Sequence, residues 1–200
     1  MRYKHGETKK LSLAQQQRIT KPLIEDVIPE YLDGDMKKNA LNFIAYLRAN
    51  RMKPLWHGLN TWKANDKGTG LYSIMLCEGD GEGWGYYGRP RPKILPSWVV
   101  SPWLVHMCEY EESILSEGLQ NLIWDNVFYC VHSPGQSGKG CSSNKGCAGG
   151  HDVTILGKEF KGLCRCRPHA SVLDPDEAAI HGIKRLLELE RKARKNIHKR

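Results

Sequence analysis

A chain of 200 residues, 40% hydrophobic and 26% charged, fits one globular domain with a sizeable core, or one domain with a small appendage. No apolar run approaches the ~20 residues of a membrane-spanning helix, and the opening "MRYKHGETKKLSLAQQQRITK" lacks the apolar stretch of a secretory signal. The expected setting is a reducing cytoplasm without membrane attachment, where seven cysteines point to metal ligation or buried thiols before disulfides.

The net charge of +8 first suggests nucleic acid. Its distribution argues the other way. Residues 1–21 hold six Lys/Arg against Glu7, and residues 184–200 hold eight against Glu188 and Glu190, which leaves residues 22–183 at −3. Basicity confined to the two ends reads first as solvated termini, and only second as a nucleic-acid contact through those termini.

In chain order, residues 1–20 read as a flexible basic segment with a short helix possible from Leu11, and residues 21–200 as a single α+β domain. "PLIEDVIPEYL" reads as a short helix interrupted by Pro29. A longer helix is expected from about Asp35, its cap, to Arg51, with Met36, Ala40, Phe43, Ile44 and Leu47 on one face. Two strands follow, Leu55 to Ala64 and Leu71 to Cys77, joined by the polar turn "NDKGTG". Both faces of the second strand are apolar, so it belongs in the centre of its sheet.

"SWVVSPWLVHMCEY" reads as more sheet, with Pro102 at an edge or bulge, and a helix is expected from Glu111 to about Asn126. "HDVTILGKEFKGLCRC" supplies one or two short strands. The last helix, within 174–200, is expected to start on Asp174 as cap, with Pro175 in its first position and Glu177 completing a capping box. Its inner stripe, Ala179, Ile183, Leu186 and Leu187, gives way to polar turns after Leu189. Grouped helices and strands of this kind make an α+β fold, a small antiparallel sheet packed with helices.

Two glycine-rich stretches fail as phosphate-binding motifs. "GWGYYG" leads into "RPRP" where a dinucleotide fold needs a helix N-terminus, and "SPGQSGKG" has Ser133 and Gly140 where a phosphate loop needs glycine and a hydroxyl. The section from Trp56 to Trp103 is rich in aromatics. Trp56, Trp62, Trp84, Trp98 and Trp103 are candidates to line a groove for a small molecule or protein partner, beside the plainer reading that strand aromatics build core.

The concentrated chemistry lies in residues 130–169, where Cys130, His132, Cys141, Cys147, His151, Cys164, Cys166 and His169 alternate with small residues. Zinc takes four thiolate or imidazole ligands in a tetrahedron, and short flexible spacers let a backbone wrap the ion. The ligands expected are Cys130, Cys141, Cys147 and Cys164, with Cys166 competing for the last place and the three histidines in reserve. Plain thiols or disulfides stand second for this cluster, and an iron–sulfur cluster third, because known cysteine runs are more closely spaced. Cys77 and Cys108, in apolar strand-like contexts, are expected to be buried thiols.

"NRMKPLWHGLNTWKANDKG", "ILGKEFKGLCRC" and "DPDEAAIHGIKRLLELERKARKNI" together resemble a group of uncharacterised bacterial proteins whose first half is similar to YdhG-like α+β domains. The resemblance implies an α+β domain with a cysteine-bearing C-terminal region, and no activity. The sequence contains no carboxylate pair, nucleophile motif or His-rich open metal site to nominate catalytic residues. The functional expectation is a zinc-stabilised module that binds a ligand or partner without catalysis. Nucleic-acid association through the termini stands second, and a thiol- or metal-dependent enzyme third.

Overall fold

The computed structural model describes residues 11–66, 68–77, 97–130, 149–164 and 170–197. Its strands and helices bear out the α+β expectation: a five-stranded antiparallel sheet, a two-stranded hairpin, and helices packed against both. The five-stranded sheet is built from β1 (Leu55–Gly58), β2 (Thr61–Asp66), β3 (Thr69–Leu76), β4 (Trp98–Pro102) and β7 (Val172–Leu173), in the spatial order β1-β2-β3-β4-β7. As its two apolar faces imply, β3 is central. The expected first strand is two strands instead, because the chain reverses at Asn60, a non-glycine residue at φ 48°.

A partner remote in sequence explains that turn. Asn60 is buried; its N–H donates to Gln17 Oε1 (2.8 Å), its Oδ1 accepts from Gln17 Nε2 (2.6 Å), and its Nδ2 donates to Tyr31 Oη (2.8 Å). Two of these bonds satisfy its side-chain amide, which would otherwise be costly to bury. Gln17 belongs to α1 (Leu13–Thr20), whose start carries a capping box between Ser12 and Gln15. The second half of the basic N-terminal segment is thus pinned to the sheet through one buried amide.

Helices α2 (Ile24–Tyr31) and α3 (Gly34–Ala49) cover one face of the sheet. Pro29 does not interrupt α2, a correction: burial of Ile24, Val27 and Ile28 holds a two-turn helix through the proline. In α3 the buried residues are Ala40, Phe43, Ile44 and Leu47, the expected face, although Asp33 and not Asp35 occupies the cap position. The helix ends in a Schellman motif, with Arg51 N donating to Arg48 O, Met52 N to Leu47 O, and Arg51 left-handed at φ 59°.

Beyond β4 the sequence reading needs three corrections. Sheet stops at Pro102, which pairs with Tyr72 of β3 past the reach of β7, and a 3-10 turn (Met107–Tyr110) follows. Cys108, on that turn, is exposed and not a buried strand thiol; Cys77 is buried as expected. The single helix expected from Glu111 is α4 (Glu111–Ser116) and α5 (Gln120–Trp124), divided where Gly118 takes φ 69° and closes α4 with bonds to Leu115 O and Leu119 N to Ile114 O.

A second core forms around β5 (His151–Ile155) and β6 (Lys158–Leu163), where Ile155, Phe160 and Leu163 meet Tyr110, Ile114, Ile123 and Val127. Helix α6 (Glu177–Ile197) joins the two cores: Ile180, Ile183 and Leu187 face the sheet, while Leu186, Leu189 and Ala193 face the hairpin. Its cap is Asp176, whose Oδ1 accepts from Ala179 N at 2.8 Å. The expected cap, Asp174, instead accepts from Ser97 N and Trp98 N at the start of β4.

The polar turns expected after Leu189 are partly interior. Glu190 is 0% exposed and Arg194 2%. Glu190 accepts from Arg194 Nε (2.7 Å), Tyr110 Oη (2.8 Å) and His106 N (3.1 Å). Arg194 also donates to Gly70 O (2.7 Å) and Thr69 O (3.2 Å). Burial and the Glu190 carboxylate push the Tyr110 hydroxyl far above its ordinary range, so it stays a donor. An ion pair with its remaining donors and acceptors so filled is the form in which buried charge is tolerated.

Candidate metal centre

Cys130 and Cys164 are 34 positions apart, yet the fold places them on one ribbon. Tyr129 pairs antiparallel with Leu163; Cys130 N donates to Gly162 O and Cys164 N to Phe128 O, both at 2.8 Å. Those two bonds flank the Tyr129–Leu163 pair, so side chains alternate about it. Tyr129 and Leu163 share one face, and Cys130 and Cys164 share the other, diagonally across the two strands. Diagonal neighbours have Cβ atoms roughly 7 Å apart or somewhat less. That spacing exceeds the ~3.5–4.5 Å of a disulfide and suits two thiolates on one ion, whose sulfurs lie within about 4 Å of each other.

The ribbon depends on backbone that only glycine permits. A Cβ on Gly150 would lie 2.8 Å from Gly162 Cα and O. Gly162 itself sits at φ 71°, its N–H donating to Asp152 Oδ1 at 2.9 Å. Gly150 lets the chain entering β5 close on β6, and on the other side Gly162 accepts from Cys130 through its carbonyl, which sets Cys130 opposite it. The sequence reading takes "AGG", with Gly150, as a flexible spacer between ligands and passes over Gly162, whose visible signal is the glycine of "FKGLC".

Cys164 is 8% exposed, and Cys130 keeps part of its surface open. His151 lies opposite Leu163, on the face turned away from the two cysteines, and its Nδ1 is 2.8 Å from Leu163 O. Cys141, Cys147, Cys166, His132 and His169 lie outside the described residues. Among the described residues, no three His, Cys, Asp or Glu side chains come together as a metal-binding group. Two of the five expected cysteines are therefore brought to one face, and the other three are not described.

The tryptophans divide. Trp62 and Trp98 are 0% exposed in the sheet core, where the plainer reading accounts for both. Trp62 Nε1 donates to Pro22 O at 2.9 Å, whereas Trp98 Nε1 is buried without a partner among the described residues. Trp56, paired across the strands with Trp62, and Trp103, whose ring packs on Gly70, are half-buried. Trp84 lies outside the described residues. No helix among the described residues is long and apolar enough to cross a membrane.

Compared with family models, curated proteins and solved structures, the chain matches none.

Proposed function

We propose that Cys130 and Cys164 are two thiolates of a structural zinc site completed by Cys141 and Cys147, with Cys166 as the alternative to Cys164, in a protein that binds a ligand or partner without catalysis. The observation that supports this is the diagonal, same-face placement of two cysteines from distant segments. A pair of merely buried thiols needs no shared face, and a disulfide needs a shorter reach. Zinc suits four thiolates on flexible spacers, and an iron–sulfur cluster is the lesser alternative. The site would tie the segment after α5 to the strand before α6, adding cohesion to the smaller second core. The resemblance to YdhG-like domains accords with this architecture and names no reaction.

Metal analysis of protein purified without added zinc tests the reading, with about one zinc per chain expected. Cys130→Ser and Cys164→Ser should each lower metal content and melting temperature together. Metal-free protein whose melting temperature is unmoved by either substitution would rule the site out.

A further inference from the structure

One end of the molecule collects four pieces of chain. Arg191 Nη1 donates to Asn50 O (2.9 Å), which sets the last third of α6 beside the end of α3. Arg194 donates to carbonyls of the β2–β3 turn, so that turn is at the same end. The start of β1 is there too, because Leu55 pairs with Lys63, close to the turn. Arg51 and Lys53 join α3 to β1, and Lys192 and Lys195 lie on α6 beyond Glu190; all four are exposed.

With Arg191 these make five cations. None has a carboxylate within 4.0 Å among the described residues, where the ion pairs instead use Arg48, Arg185 and Arg194. Of the carboxylates in these segments, Glu188 is held by Tyr46 and Arg185, and Glu190 by Arg194, which leaves Asp66. Spacing aligns the cations further. Lys184, whose ammonium lies over the Tyr46 ring, Arg191 and Lys195 follow one stripe of α6 along α3, and Lys195 falls one turn past Arg191, where α3 has ended.

Arg51 adds an independent observation. It occupies the left-handed position of the Schellman motif at φ 59°, where glycine is preferred and a side chain is strained. Attraction to the helix C-terminus offsets part of that strain.

We infer that this basic pole, Arg51, Lys53, Arg191, Lys192 and Lys195, is a docking surface for the phosphate backbone of a nucleic acid. The inference rests on the reading of the protein as a binding module and is independent of its metal. It revises the idea of basic termini acting as solvated tails: much of the C-terminal charge is folded against two cations of the body. The surface carries no feature that reads bases, so binding is expected to be sequence-tolerant and salt-dependent.

The test is fluorescence anisotropy of a labelled duplex DNA and a labelled single-stranded RNA across a salt series, with zinc measured in the same samples. Each phosphate neutralised contributes about −0.9 to the slope of log affinity on log salt for duplex DNA, so up to five contacts give a slope of roughly −4. Arg51→Gly is the informative variant. It should melt no lower than the parent, since glycine suits that backbone, yet bind several-fold more weakly with the slope reduced by about one. Lys53→Ala with Lys195→Ala should weaken binding further at unchanged metal content. The inference is overturned if neither probe binds at about 50 mM salt, or if these variants bind like the parent while removal of residues 1–10 abolishes binding. Protein that is free of zinc as purified, yet binds as expected, would sink the zinc reading and leave this inference standing.

Discussion

The two cores are held by different means. Between the sheet and helices α2, α3 and α6, large apolar side chains do the work: Trp62, Tyr72, Phe43, Ile74 and Trp98 are all 0% exposed. The second core is smaller and built on a hairpin whose strands approach through Gly150 and Gly162. It is tied to the sheet by the Glu190–Arg194 pair at the end of α6. Apolar burial is distributed and tolerant of single losses of area. A fold held by a few specific groups concentrates its stability in them, and there single substitutions should have their largest effects.

The first way to break this comparison is at Arg194. Removing one partner of a filled, buried ion pair leaves an uncompensated charge, at a cost of about 3–5 kcal/mol. Arg194→Ala or Glu190→Ala should lower the unfolding free energy measured in denaturant by that amount, and a chain ending at Lys192 should lose as much. This departs from the expectation of polar turns alone after Leu189. Replacing both residues by leucine should recover part of the loss. If either single variant unfolds like the parent, the pair does not join the cores.

The second is metal removal. If the proposed thiolates tie the ribbon, a chelator should speed hydrogen exchange at Cys130 and Cys164, whose amides bond across it, on the order of a hundredfold or more, while amides in the centre of β3 stay protected. Equal acceleration in both regions would mean that the two cores unfold as one unit. No change in either would remove the metal from the account of the second core.

Smaller is the effect of Gly150→Ala. Its new Cβ would meet backbone at 2.8 Å, and neither strand can yield without disturbing the bonds of Gly162. Overpacking of this kind costs about 1–3 kcal/mol. Cys130→Ser would then lose less in the altered background than in the parent, since the ribbon that aligns the two thiols is already displaced. Additive losses would show that the ribbon and the thiols act separately.

What the sequence reveals follows the same division. The buried face of α3, the β2–β3 hairpin and the central place of β3 could all be read from periodicity, because apolar burial repeats with the geometry of the element. The turn at Asn60 could not, since what stabilises it is Gln17, 43 positions away. The break at Gly118 was signalled only by one glycine inside an apolar stripe. Arg194 misled because composition marks arginine as solvent-facing, and only the tertiary arrangement supplies the carbonyls that satisfy it. At the site, cysteine spacing nominated Cys130 and Cys164 without revealing that Gly162 sets their register. The basic pole was invisible, as it joins α6 to Arg51 and Lys53 across 138 positions or more.

The smallest effect expected lies in the sheet core and separates the regions by pH. Arg48 of α3 forms a bidentate pair with Glu25 of α2, at side-chain exposures of 32% and 30%. The hydrogen bond from Arg48 holds the Glu25 carboxyl below its ordinary range, against the opposing effect of burial. A carboxyl whose folded pKa is depressed stabilises the fold above its unfolded pKa, and that contribution is lost as pH falls through the folded value. Glu25→Gln should therefore cost no more than about 1 kcal/mol at neutral pH, given the solvent exposure of the pair, and progressively less in acid, where the parent loses the same contribution. If the proposed zinc site is present, acid should also release its metal, because the ligating thiolates must stay deprotonated. Urea melts of the parent and the variant at neutral and acid pH, read beside exchange at Cys164, decide it. If the Glu25→Gln deficit is the same at both pH values, the carboxylate charge is not what joins α2 to α3.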